Sequence, residues 1–155
     1  MKPNYLTILI TTLCIFFNAC HNSNTAPQLQ LADSLIDKRA DSALCILEKL
    51  SIEEISNKSA KAMYALLLTE ALDKNFKSHR NDSLILIAVD YYKDNSNNKL
   101  KTKAYYYLGR VYQDNKEYIK ATEAYLTALK TASPNQAPIL QIYNNLALCY
   151  ESQEF

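Results

Sequence analysis

The chain has a single glycine, Gly109, and four prolines among its 155 residues. The tight turns of β-hairpins favour glycine at positive φ, so this composition leaves little material for a β-sheet. No segment alternates apolar and polar residues for long enough to indicate a strand. Apolar residues instead recur every three or four positions, which is the period of an amphipathic helix. The sequence therefore predicts an all-α fold.

Polar breaks divide this helical pattern into about seven segments. Asp41 is a favourable N-cap residue for the second segment, and Pro138 suits the first turn of the seventh. The predicted helices, in chain order, cover about 29–36, 41–50, 57–74, 83–91, 99–114, 117–132 and 138–153.

The N-terminal segment has the pattern of an export signal. An apolar stretch, Leu6 to Phe17, follows a short start with one lysine. At 1.5 Å per residue it is about 18 Å long, shorter than the roughly 30 Å hydrocarbon core of a bilayer. We therefore expect a secretory signal rather than a spanning helix.

The end of that signal, Phe17-Asn18-Ala19-Cys20, resembles a bacterial lipobox. The resemblance implies cleavage after Ala19 and a diacylated Cys20, with an ordinary cleaved signal as the alternative. Residues 20–27 then form a polar tether. The resemblance places the chain in the bacterial cell envelope, with the outer membrane favoured and the helical part facing the periplasm.

The remaining cysteines and histidines predict no metal or cofactor site. Cys45 and Cys149 fall in apolar helical stripes, where free cysteines are common core residues. Export permits a disulfide between them, which stays an alternative. His21 and His79 lie in polar segments and are expected to be solvated. No cysteine or histidine pair has metal-ligand spacing.

The fifth and sixth segments match the tetratricopeptide pattern, W-x2-L-G-x2-Y, then A-x3-F, then P. The seventh segment repeats the first half of the pattern, and Tyr64, Leu67 and Leu68 do so faintly. The matching residues are Tyr105, Leu108, Gly109, Tyr112, Ala121, Tyr125 and Ala128, followed by Tyr143, Leu146, Ala147 and Tyr150.

The chain therefore resembles a tetratricopeptide-repeat lipoprotein of Gram-negative bacteria. The resemblance is specific over residues 102–153 and weaker over 28–94. It implies a right-handed superhelix of antiparallel helical hairpins, with degenerate hairpins at 28–50 and 57–94, a clear repeat at 99–135, and the first helix of an incomplete repeat at 137–155. In such a hairpin Gly109 is a packing glycine that lies close to the second helix, near Ala121 or Ala128.

The resemblance also implies a concave groove that binds a protein or peptide partner. The residues expected to line it are Tyr106, Arg110, Gln113 and Asn144, with plain solvated surface as the alternative for these side chains. The lysine and asparagine clamp of some family members is absent, because Tyr106 and Arg110 occupy those places.

These features favour a non-catalytic interaction scaffold, attached to the membrane through the Cys20 lipid. No nucleophile, base and orienting group converge in the sequence, and no glycine-rich phosphate loop is present. A net charge of +1 argues against nucleic-acid binding. Two alternatives stay open: an input or sensor fragment of a longer signalling protein, and an envelope glycan-capture lipoprotein.

The seventh segment is apolar nearly all round, so we expect it to pack on several sides. Repeat arrays normally end with a helix that has a polar outer face. The pattern would place a further helix just after Phe155. We therefore expect these residues to be part of a longer array and to self-associate through this face when made alone.

Overall fold

A computed structural model describes residues 25–79, 81–133 and 138–153. The described part contains seven α-helices and no strand, which confirms the predicted all-α class. The helices are α1 (Thr25–Leu35), α2 (Ala40–Leu47), α3 (Lys58–Lys74), α4 (Ser83–Tyr92), α5 (Asn98–Asp114), α6 (Tyr118–Thr131) and α7 (Ile139–Glu151). The predicted signal, the lipobox with Cys20, and His21 lie outside the described residues.

Asparagine side chains cap the two longest helices. Asn57 accepts a hydrogen bond from the Ala60 N–H at 3.1 Å, and Asn97 accepts one from the Leu100 N–H at 3.1 Å. Each cap satisfies a backbone donor that has no partner within its own helix. These polar residues therefore fix where α3 and α5 begin.

Two helix starts differ from the sequence prediction. Thr25 to Pro27 form the first turn of α1 rather than the end of a tether, because proline is tolerated where the helix has no acceptor for its N–H. Asp41 lies inside the first turn of α2, and Arg39 occupies the N-cap position without a side-chain cap.

The helices contact one another in a regular order. Each helix packs against the next, and α1 also contacts α3, which in turn contacts α5. Three apolar clusters fill the spaces between them: one from α1 to α3, one from α3 to α6, and one that joins α5 and α6 to α7. The core is therefore distributed along the chain of helices rather than gathered at one centre.

Gly109 lies on the face of α5 that packs against α6. A Cβ added at this position would lie 2.5 Å from Tyr125 Cδ1 and 2.8 Å from Tyr125 Cζ. Real Cβ atoms do not approach so closely, and Tyr125 is fully buried. The close neighbour is thus the Tyr125 ring rather than Ala121 or Ala128, although both alanines are buried on the same helix.

Two side chains differ from expectation in their burial. His79 is buried rather than solvated, because its ring contacts Asp114 and the Thr69 carbonyl. Cys45 is exposed, since α2 turns Ala43, Leu44 and Leu47 inward instead, whereas Cys149 is buried as expected. Both cysteines are free thiols.

Helix α7 buries one stripe of apolar residues and exposes most of the others. Ile142, Leu146 and Cys149 pack against the preceding helices. The opposite side carries exposed apolar residues at Leu140, Tyr143, Ala147, Leu148 and Tyr150. Self-association through this face stays a prediction.

Candidate functional site

The candidate site is a cavity of about 530 Å³ along the odd-numbered helices. Helices α1, α3 and α5 each contribute side chains, and Pro138 and Gln141 add the start of α7. In this way one surface collects residues that are more than 100 positions apart in the sequence. The lining residues are Asp33, Ile36, Asp37, Glu70, Asp73, Lys74, Lys99, Lys103, Tyr106, Tyr107, Pro138 and Gln141.

Ion pairs connect α1, α3 and α5 across this cavity. Lys74 of α3 lies 2.5 Å from Asp37, two residues after the end of α1, and Lys103 of α5 pairs with Glu70 of α3. The hydrogen bond from Lys74 lowers the pKa of Asp37. Burial alone would lower the pKa of Lys74, but its bond to Asp37 and the charge of Glu70 raise it above its ordinary value. Most of the charge along the cavity is therefore neutralised in pairs.

Glu70 is the most enclosed charge in the cavity wall, with a side chain only 3% exposed. Lys74 lies 3.4 Å from one carboxylate oxygen and Lys103 contacts the other, which compensates for burying the charge. Tyr107 lies beside this group, and burial together with the negative charge of Glu70 raises the pKa of its hydroxyl. The floor of the cavity is thus polar but internally paired.

A second network surrounds Arg110, one of the residues predicted to line the groove. Its Nε donates to Asp73 at 2.8 Å, and its Nη1 donates to Gln113 at 3.2 Å. Gln113 in turn accepts a hydrogen bond from the Tyr125 hydroxyl at 2.8 Å. Burial by itself would lower the pKa of Arg110, but Asp73 raises it above its ordinary value. Arg110 and Gln113 therefore bind other parts of the protein and are not free for a partner.

The other two predicted groove residues lie in different places. Tyr106 is half-buried in the cavity wall. Asn144 lies on the exposed side of α7, outside the cavity lining. Burial and the charge of Asp73 raise the pKa of Tyr106. Of the four predicted residues, Tyr106 is the one in the cavity wall.

Sequence reasoning missed the charged residues that α1 and α3 contribute. Glu70 and Lys74 are four positions apart, so they lie on one face of α3, whereas Asp33 lies on α1 and Asp37 follows the end of that helix. A spacing of four positions could have indicated that Glu70 and Lys74 share one surface of the helix. Within the described residues no ion pair within 4.0 Å includes Asp33 or Lys99, which stand on α1 and α5 respectively. Among the charged residues that line the cavity, these two form no ion pair with another residue of the described ranges.

The repeat-pattern residues of α5 and α6 lie at the helix interfaces. Leu108, Gly109, Ala121, Tyr125 and Ala128 are buried. Tyr105 and Tyr112 are partly buried against the apolar clusters, while on α7 Leu146 is buried and Tyr143, Ala147 and Tyr150 are exposed.

The described residues contain no group of three or more histidine, cysteine or acidic side chains that could hold a metal ion. No helix in the described ranges is long and apolar enough to cross a membrane.

The comparisons with known proteins give no relative. No protein-family model matches the chain, and no curated protein or solved structure matches it significantly.

Proposed function

We propose that the protein is a non-catalytic interaction scaffold with a tetratricopeptide-like superhelix, and that it binds an extended segment of a partner protein. The observation that supports this proposal is the cavity of about 530 Å³ lined by residues of α1, α3, α5 and the start of α7. Stacked helical hairpins use such shared surfaces for binding.

Three features of the cavity suit a peptide segment. Tyr106 offers a partly exposed aromatic ring. Asp33 of α1 and Lys99 of α5 offer opposite charges that no ion pair with another described residue neutralises. Aromatic rings supply contact area at low conformational cost, and oppositely charged ends fix the direction of a bound chain. The paired charges between them supply hydrogen-bonding groups without a net attraction for either sign.

Charge reversal tests this proposal. A peptide selected from a random library on residues 21–155 should lose about tenfold or more in affinity when Asp33→Lys and Lys99→Glu are combined. The matched control reverses two exposed charges on α6, Glu123→Lys with Lys130→Glu, and should leave the affinity unchanged. Peptides that respond only to the α6 variant would contradict the proposed site.

We also propose that Cys20 carries the lipid that holds this scaffold on an envelope membrane, as the FNAC sequence implies. Radiolabelled palmitate should enter the wild-type chain and not Cys20→Ser, because no other residue takes the acyl groups. Cys45→Ser is the matched control, since Cys45 is an exposed free thiol and should not affect labelling. A mature protein that begins elsewhere and carries no lipid would rule this out.

A further inference from the structure

Phe76 occupies an unusual position directly after the C-cap of α3. Its side chain is 99% exposed, and its backbone φ is 56°. A positive φ is uncommon for residues other than glycine and is an outlier for a bulky side chain. Both the exposure and the backbone therefore oppose a phenylalanine here.

The turn itself does not require an aromatic residue. Helix α5 ends in the same way, with Lys116 at φ 61° in the position of Phe76. Such helix ends need one residue in the left-handed conformation, for which glycine or asparagine is usual. Equivalent backbone hydrogen bonds close the two turns. The Lys77 N–H donates to the Leu72 carbonyl oxygen at 3.0 Å, and the Glu117 N–H donates to the Tyr112 carbonyl oxygen at 2.8 Å. Lys116 directs a charged group into water, whereas Phe76 directs an apolar ring there.

A cavity of about 240 Å³ lies beside this turn. Leu72, Leu84 and Val111 supply apolar walls, and Ser78 and Asn81 lie at the connection between α3 and α4. Leu72 is one helical turn before Phe76 and Ser78 is two residues after it. The exposed ring and the cavity therefore share the same end of the α3–α4 hairpin.

The buried histidine in the wall of this cavity already has two partners. His79 Nδ1 lies 2.8 Å from Asp114, and its Nε2 lies 3.1 Å from the Thr69 carbonyl oxygen. An apolar group that entered the cavity would leave these contacts in place. The cavity thus suits an apolar or aromatic side chain rather than a charged one.

We propose that Phe76 inserts into this cavity of a second copy of the chain, and that the second copy inserts its own Phe76 in return. A two-fold contact uses the same surface on both copies, which requires the anchor and its pocket to lie side by side. Here they do. A single aromatic anchor in an apolar pocket is a common centre of binding energy. The contact is small, so the association is weak and depends on concentration.

Cross-linking of the full chain in bacterial cells tests the contact directly. A photoreactive phenylalanine analogue at position 76 should give a product with twice the mass of the chain. The linked peptide should contain Leu84 or Val111, which line the cavity. A product with a different protein, or no product, would overturn the proposal.

Co-isolation of two differently tagged full chains from detergent extracts provides the variant test. Phe76→Gly should reduce co-isolation at least tenfold while raising the melting temperature, because glycine relieves the strained backbone. Ser78→Phe should reduce it as well by blocking the cavity. Lys116→Gly relieves the same backbone strain at the equivalent turn and should co-isolate like the wild type. Unchanged co-isolation of Phe76→Gly would overturn the proposal.

Discussion

Replacing Gly109 by leucine should destabilise the protein by about 3 kcal/mol or more, because the new side chain must displace the Tyr125 ring. Even the added Cβ of alanine would lie 2.5 Å from Tyr125 Cδ1, and Tyr125 is fully buried. Gly109→Ala gains roughly 1 kcal/mol of helix propensity. We therefore expect a smaller net loss of about 1 kcal/mol for alanine, since overpacking outweighs that gain.

Urea unfolding of residues 21–155 measures both effects. The matched control places Gly109→Ala in a Tyr125→Leu background, where the smaller side chain leaves room for the new methyl group. The loss from Gly109→Ala should disappear there, because residues in contact are energetically coupled. If alanine and leucine at position 109 gave equal stability, or if the two substitutions were additive, the close approach would not explain the glycine.

Replacing Arg110 by alanine should cost about 2 kcal/mol, because it leaves Asp73 without its partner in a mostly enclosed site. The Arg110 and Asp73 side chains are 26% and 15% exposed, and their atoms lie 2.8 Å apart. The substitution also removes the donor that holds Gln113, which accepts from Tyr125. The contact between α3 and α5 should therefore loosen.

Lys93→Ala is the matched control for this effect. Lys93 and Asp90 form an ion pair of the same 2.8 Å length, but their side chains are 47% and 71% exposed. Solvent screens such pairs, so this substitution should change stability little. A loss for Arg110→Ala no greater than that for Lys93→Ala, in parallel urea unfolding curves, would show that the Arg110–Asp73 pair stabilises the protein no more than an exposed pair does.

The helices could be predicted because their signals are local. Apolar residues at helical spacing and asparagine caps act within a few positions of each other, so α3 and α5 begin within one residue of expectation. The close packing at Gly109 could also be predicted. A glycine inside a helix lowers helix stability, and a close contact with a neighbouring helix can compensate for that loss. The residue that contacts Gly109 could not be predicted. Ala121, Tyr125 and Ala128 share one face of α6, and the register between α5 and α6 decides which of them lies against the glycine.

The site could be predicted only in part, because its charges meet across helices. Asp37 follows α1, Glu70 lies on α3 and Lys103 lies on α5, so no local sequence pattern shows that their ion pairs line one cavity. Arg110 was expected to face a partner, yet Asp73 of α3 binds it. The burial of His79 could not be predicted for the same reason. The residue lies in a polar segment, and its partner Asp114 belongs to a distant helix, α5.

Photo-cross-linking from the cavity tests the central proposal most directly. A photoreactive phenylalanine analogue replaces Tyr106 in the cavity wall, or Leu126 on the exposed side of α6 as the matched control. In cells that produce the full chain, the scaffold proposal predicts a discrete adduct with a partner protein from position 106 and none from position 126. An adduct from position 126 alone would contradict the proposal, as would the absence of any adduct from position 106.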